Sequence, residues 1–180
     1  ARTQYGPPSF LNSMFPEPPR AYSIYVRSLE HARLVLHRPT ASCTPPKHLF
    51  KIDRGDMMSH QYLLRFDKIM LNEDDTLFEN IDVDRYRLML DTGANAISLP
   101  RKIYEIFSTM PPKGKMTLAI ENIHGDTVHL SFPYDMDNRF NAQVLDGGYS
   151  SKLIVGVTFM VGLGIGIHDT GDERYVSVDW

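Results

Sequence analysis

The sequence is poor in cysteine and shows no clustering of potential metal ligands. Cys43 is its only cysteine, so no disulfide can form within the chain and no zinc site can be built from several thiolates. The seven histidines are spread along the chain without the close spacing of metal ligands. We therefore predict neither a metal site nor a cofactor.

The sequence also lacks an excess of basic residues and a long apolar run. The formal net charge is −3, which argues against a nucleic-acid partner. The longest apolar stretch, residues 153–167, contains four glycines and is shorter than the roughly 18 residues that span a bilayer. With 180 residues, the chain is long enough for one domain with a substantial core, and we predict no membrane span.

Most of the chain shows the two-residue periodicity of β-strands. Alternating apolar residues predict a hairpin over residues 21–37, and further strands are predicted over 48–52, 61–71 and 85–90. Later strand patterns comprise 116–123, 127–132, 153–156 and 174–180, and the segment 133–152 is mostly loop with room for one more strand. Short strands separated by frequent turns predict an all-β domain.

Only one segment has a clear helical pattern. Ile103, Ile106 and Phe107 recur at helical spacing, and Pro111 and Pro112 lie beyond the predicted end. We expect Ser98 to cap this helix and Pro100 to lie in its first turn. The helix directly follows the most informative motif of the sequence.

That motif is Asp91-Thr92-Gly93, which follows the apolar residues Leu88, Met89 and Leu90. A carboxylate at the end of a buried strand is costly unless it is hydrogen-bonded or paired. Gly93 allows a sharp turn and the close approach of another segment, while the Thr92 hydroxyl can hold such a turn. Asp91 is therefore the candidate catalytic residue, although a buried aspartate that only braces its own turn remains the alternative.

Two carboxylates brought close together share one proton, because like charges a few ångströms apart cannot both ionise. The ionised carboxylate can then act as general base on water, and the protonated one as general acid. This chemistry hydrolyses a peptide bond without a metal, a thiol or a serine nucleophile.

Four blocks of the sequence, in conserved order, resemble the C-terminal lobe of the pepsin-like aspartic peptidases. The active-site block is "LMLDTGANAISLP" (88–100), and the other blocks are "PSFLNSMF…AYSIYVRSLEHARLVLHRP" (8–39), "HQYLLRFDKIMLNEDD" (60–75) and "LIVGVTFMVGLGIGIHDTGDERYVSVDW" (153–180). The resemblance implies an all-β, pepsin-like lobe that is closed or orthogonal and barrel-like, with one or two short helices. It also implies a leading interlobe segment at 1–20 and a single lobe at 21–180.

The resemblance assigns roles to individual residues. Asp91 corresponds to one catalytic aspartate, and the residues that support its loop are Thr92, Gly93, Ala94, Asn95, Ile154, Val155 and Gly156. The second Asp-Thr-Gly triplet, at 169–171, falls in the final hairpin of such a lobe. Because Asp172, Glu173 and Arg174 follow it directly, we interpret Asp169 as part of a solvated turn and the repeat as a coincidence.

Some residues depart from the family pattern. Asn95 stands where the family has serine or threonine, Ala94 where it commonly has threonine, and Val157 where it usually has aspartate. No sequence for the other lobe, with its aspartate and its substrate-covering flap, is recognisable. An isolated monomer is therefore expected to be inactive.

Three interpretations remain open. The chain is the C-terminal lobe of an aspartic endopeptidase whose second aspartate comes from a separate N-terminal lobe, or it is a non-catalytic structural or binding subunit of a larger assembly. The third interpretation is a homodimer in which two Asp91 residues pair, as in retroviral-type proteases. The expected partners are accordingly an N-terminal lobe or a larger assembly, with a peptide or protein substrate if the chain is active. The resemblance implies a secretory, vacuolar or lysosomal location.

Overall fold

The computed structural model describes residues 21–28, 30–37, 48–53, 63–91, 93–135, 142–145, 151–169 and 174–179. Within these ranges the chain is mostly β-structure with few helical residues, which confirms the predicted all-β class. The predicted interlobe segment, residues 1–20, lies outside the described residues. The division of the chain into 1–20 and 21–180 therefore stays a prediction.

The described strands form three sheets. The first half of the chain contributes β1 (Ala21–Ser28), β2 (His31–His37), β3 (Leu49–Lys51), β4 (Leu63–Leu64), β5 (Lys68–Leu71), β6 (Arg87–Asp91) and β7 (Ile97–Pro100). The second half contributes β8 (Lys113–Glu121), β9 (Thr127–Asp135), β10 (Ala142–Leu145), β11 (Lys152–Gly156), β12 (Gly164–Asp169) and β13 (Arg174–Asp179). Sheet A has the order β2-β1-β12-β13-β3, sheet B the order β10-β7-β11-β6-β4, and sheet C the order β5-β8-β9.

Sheet B carries the candidate site and has mixed strand directions. Its central strand β11 runs parallel to β6 and antiparallel to β7, while β10 runs parallel to β7. All five residues of β11 are buried, as expected for a strand covered on both faces. The parallel pairing places Gly156 opposite Asp91 at the same end of the two strands.

The described strands do not close into a barrel, so the closed form that the resemblance implies is not observed. In the described part of the chain, β9 is the outer strand of sheet C and pairs only with β8. The three sheets instead share one apolar core. That core includes Val26 and Val176 of sheet A, Val155 of sheet B, and Leu118 and Phe132 of sheet C.

One α-helix, α1 (Arg101–Phe107), lies within the described ranges, accompanied by 3₁₀ turns at Thr76–Phe78, Val83–Arg85 and Val157–Phe159. Helix α1 buries Ile103 and Phe107, as its apolar spacing predicts. The predicted cap was wrong, because Ser98 is a buried residue of β7. Pro100 is not in the first turn but directly precedes the helix, and no side chain caps the helix there. The apolar sequence that precedes the helix extends β7 instead.

The segment predicted as one strand at 61–71 is divided between two sheets. Strand β4 pairs with β6 in sheet B, whereas β5 pairs with β8 in sheet C. The predicted turn after β5 is confirmed, with Asn72 and Glu73 both at positive φ. Within the described residues, no helix has the length and apolar character needed to traverse a bilayer.

Candidate functional site

Asp91 is the last residue of β6, between the neighbouring strands β11 and β4 of sheet B. Leu88 is fully buried, whereas Met89, Leu90 and Asp91 are each partly buried. The predicted apolar strand is therefore present, and it delivers the carboxylate to a boundary position rather than into the core. A partly buried carboxylate can be both fixed by the protein and reached from outside.

The Asp91 carboxylate is held by its own turn. The Gly93 N–H donates a hydrogen bond of 2.9 Å to Asp91 Oδ1, and the Ala94 N–H donates one of 3.2 Å to the Asp91 carbonyl oxygen. An aspartate side chain that accepts a backbone N–H two residues further along forms an Asx turn. This turn fixes the orientation of the carboxylate through Oδ1 alone, and the second oxygen forms no hydrogen bond to a described residue.

Two hydrogen bonds from the end of β11 hold the loop between Asp91 and β7. The Val157 N–H donates a hydrogen bond of 2.7 Å to the Ala94 carbonyl, and the Gly156 N–H donates one of 3.1 Å to the Ala96 carbonyl. A Cβ atom at Gly156 would lie 2.5 Å from Ala94 O and 2.7 Å from Ala96 O, so only glycine permits this approach. Gly156 therefore meets the loop after Asp91 through a direct backbone contact.

Ile154 and Val155 position β11 between its neighbours. Ile154 pairs with Met89 and with Ser98, while Val155 pairs with Leu90 on one side and with Ile97 on the other. Val155 is fully buried and Ile154 nearly so. These two residues connect the strand that ends at Asp91 with the strand that follows its loop.

The remaining predicted support residues are less closely engaged. Asn95 is exposed, and Ala94 contributes through its main chain. Thr92 lies outside the described residues. Val157, which stands where the resembled family usually has aspartate, packs its partly buried side chain against the apolar core.

The aspartates of the two Asp-Thr-Gly triplets belong to different sheets. Asp169 is the last residue of β12 in sheet A and pairs with Arg174 of β13, whereas Asp91 belongs to sheet B. This is the final hairpin expected from the sequence. The Asp169 side chain and residues 170–173 lie outside the described part, so its predicted solvation stays a prediction.

The sequence did not predict the main-chain hydrogen bonds that hold the loop after Asp91. The carbonyls of Ala94 and Ala96 receive the two N–H groups that hold the loop, and a carbonyl leaves no trace in residue identity. The only available signal was Gly156, whose lack of a side chain permits the contact. Among the described residues, no group of three or more histidine, cysteine, aspartate or glutamate side chains is arranged to hold a metal ion.

No protein-family model matches this chain, and no curated protein matches it significantly.

Proposed function

We propose that this chain is the C-terminal lobe of a pepsin-like aspartic endopeptidase, with Asp91 as one of two catalytic aspartates. The observation that carries the proposal is the fixed loop after Asp91, the last residue of β6. The Gly93 N–H holds the Asp91 carboxylate, and the N–H groups of Val157 and Gly156 hold the carbonyls of Ala94 and Ala96. Catalysis by a carboxylate requires such a fixed orientation, because misplacement by about 1 Å can cost a hundredfold in rate.

The second aspartate comes from a separate N-terminal lobe. Asp91 alone cannot act as both acid and base, since a single carboxyl group is either protonated or ionised at a given moment. Two carboxyl groups that face each other share one proton, so that the ionised one activates water while the protonated one donates to the substrate carbonyl. Peptide hydrolysis by this chain therefore depends on its partner.

The test is to isolate the native assembly that contains this chain and to measure peptide cleavage at acidic pH. We expect cleavage to be blocked by a statine-type transition-state mimic and reduced by about 10²–10⁴-fold in an Asp91→Asn variant, the range for loss of a general acid or base. Asp67→Asn is the matched control, because it makes the same change at an exposed aspartate of the chain. Its activity should equal that of the wild type.

Cleavage that survives Asp91→Asn would contradict the proposal. The composition of the assembly distinguishes the possible origins of the second carboxylate: a different chain with an Asp-Thr-Gly or Asp-Ser-Gly motif supports the two-lobe arrangement. A homodimer that cleaves peptides and loses activity in Asp91→Asn would instead support pairing of two Asp91 residues.

A non-catalytic subunit of a larger assembly is the second candidate function. It is favoured by Val157, whose apolar side chain packs against the core where the resembled family usually has aspartate, and by the exposed Asn95. In that case Asp91 serves only to brace its turn with Gly93. An assembly that has no second aspartate motif and no cleavage activity would support this function and exclude the peptidase.

A further inference from the structure

A small basic cavity lies at the edge of sheet A, outside the Asp91 site. Its volume is 280 Å³, and we call it the β1 cavity; its lining residues are Tyr25, Val26, Arg27, Arg33, Gly162 and Leu163. Neither the proposed peptidase activity nor the support of the Asp91 loop uses these residues.

The backbone of β1 brings the two arginines to one place. Tyr25 pairs directly with Arg33 on β2, and opposed residues on neighbouring strands have Cβ atoms about 4.5–5.5 Å apart. The register shifts between Val26 and Ser28, so Arg27 lies at a bulge, a feature that re-aims side chains. Arg27 and Arg33 both line the β1 cavity.

Main-chain hydrogen bonds form the floor of the β1 cavity. The Gly162 N–H donates a hydrogen bond of 2.7 Å to the Val26 carbonyl, and the Val26 N–H donates one of 3.1 Å to the Leu163 carbonyl. The Tyr25 ring lies against Gly164, where an added Cβ would be 2.4 Å from Tyr25 Cε1. The aromatic wall is therefore packed on the backbone of β12.

Neither guanidinium group of the β1 cavity has a counter-charge among the described residues. No ion pair or hydrogen bond joins the side chain of Arg27 or Arg33 to a described residue, whereas Arg85 and Arg87 pair with Asp82 and Asp53. None of the lining residues is acidic. These two arginines thus hold two positive charges around one cavity in a chain whose net charge is negative.

The acidic residues nearest along the described backbone are Glu30 and Asp179. Glu30 lies in the turn between β1 and β2, and its exposed side chain forms no ion pair with a described residue. Across sheet A, Arg33 pairs with Tyr25, Tyr25 with Gly164, and Gly164 with Asp179. Asp179 is three strands from Arg33, about 14 Å at the usual strand spacing.

We propose that the β1 cavity binds the phosphate group of a small phosphorylated molecule. Two guanidinium groups match the charge of a phosphate monoester, about −1.5 to −2 at neutral pH, and each can donate two parallel hydrogen bonds to phosphate oxygens. The Tyr25 hydroxyl supplies a further donor. The partly buried side chain of Leu163 offers an apolar contact for a small body attached to the phosphate.

The test is an NMR titration of the full ¹⁵N-labelled chain with inorganic phosphate, and separately with phenyl phosphate, at constant ionic strength. We expect saturable shifts of the Val26, Gly162 and Leu163 amide signals. Arg27→Gln and Arg33→Gln should each weaken binding about fivefold, and together more than tenfold, as expected for single charged contacts at an accessible site. Arg33→Lys keeps the charge but loses the paired donors, so its affinity should be intermediate.

The matched control is Arg65→Gln, which removes an exposed arginine that lies 3.7 Å from Asp53. Its phosphate affinity should equal that of the wild type. Acetate, a monoanion, should bind more weakly than phosphate. The proposal is overturned if phosphate produces no saturable shifts at the three amides, if Arg65→Gln weakens binding as much as Arg33→Gln, or if acetate binds as tightly as phosphate.

Discussion

Gly156 lies directly against the carbonyl oxygen of Ala94, and a Cβ atom on Gly156 would be only 2.5 Å from that oxygen. The contact joins the end of β11 to the loop that begins at Asp91. Both atoms that a new side chain would meet, Ala94 O and Ala96 O, belong to the main chain. Main-chain atoms cannot rotate away as a flexible side chain would, so any residue with a Cβ atom would clash at this position.

The first prediction concerns Gly156→Ala. We expect the variant to lose about 3 kcal/mol of unfolding free energy, because an overpacked core has to move backbone as well as side chains. The Gly93 amide signal should shift as the loop is displaced. Urea unfolding and an amide NMR spectrum measure the two effects.

Gly125→Ala is the control for this prediction. Gly125 has φ +84°, and an added Cβ would meet no atom within 4 Å. Its cost is therefore the left-handed backbone alone, about 1–2 kcal/mol. If Gly156→Ala costs no more than Gly125→Ala, the close approach does not constrain the loop.

The second prediction separates the structural and chemical parts of Asp91. Asp91→Asn keeps an oxygen that can accept the Gly93 N–H, so its unfolding free energy should stay within about 0.5 kcal/mol of the wild type. Asp91→Ala removes the acceptor and should cost about 1 kcal/mol. Urea unfolding measures both; equal losses in the two variants would mean that the charge, rather than the hydrogen bond, stabilises the turn.

Sequence patterns predict elements well where local periodicity and burial agree. The hairpin of β8 and β9 follows alternating apolar residues, and its turn is organised by the Asn122 side chain, whose Oδ1 accepts the N–H groups of His124 and Asp126. The helix over residues 101–107 likewise follows its apolar spacing. In these segments the local signal and the tertiary packing require the same conformation.

Prediction was weaker where tertiary pairing determines the outcome. Ser98 is a plausible cap in sequence, yet it pairs with Ile154 in the centre of sheet B, because an apolar stretch beside β11 gains more from burial in the sheet. The apolar run around Leu64 and Ile69 contains no local signal that its halves belong to different sheets. The position of Asp91 was predictable, whereas the main-chain contacts that hold its loop were not.

The third prediction is a pH effect at Asp75. Its side chain contacts Lys68 Nζ, and the hydrogen bond from Lys68, followed by the attraction of its charge, lowers the pKa of Asp75. A carboxyl group whose pKa is lower in the folded state stabilises the fold above its unfolded-state pKa. That contribution is lost as the pH falls through the folded-state pKa.

NMR titration of the aspartate carboxyl signals measures this pKa. In Lys68→Met we expect the pKa of Asp75 to rise towards the usual value for aspartate, about 3.9. Lys115→Met is the control, because Lys115 pairs with Glu73 in the same region. An Asp75 pKa that responds equally to both substitutions would indicate a general effect of charge and not the specific Lys68 contact.

The fourth prediction concerns Arg87, the first residue of β6. Its Nε donates a 2.5 Å hydrogen bond to Asp53 Oδ2, and its Nη1 donates to the carbonyls of Asp84 and Tyr86. The Arg87 and Asp53 side chains are each only 20% exposed, so water can replace the lost contacts only in part. We expect Arg87→Met to cost about 2–3 kcal/mol of unfolding free energy, somewhat below the range for breaking a fully buried pair.

Arg85→Met provides the comparison, because Arg85 pairs with Asp82 at 2.8 Å while its side chain is 76% exposed. An exposed ion pair contributes about 0–1 kcal/mol, so this variant should unfold at nearly the wild-type urea concentration. Asp53→Asn combined with Arg87→Met should cost less than the sum of the two single changes, since the pair is then removed as a unit. If Arg87→Met and Arg85→Met are equally mild, the Arg87 contacts do not anchor β6, and the placement of Asp91 depends on the β11 side of the sheet alone.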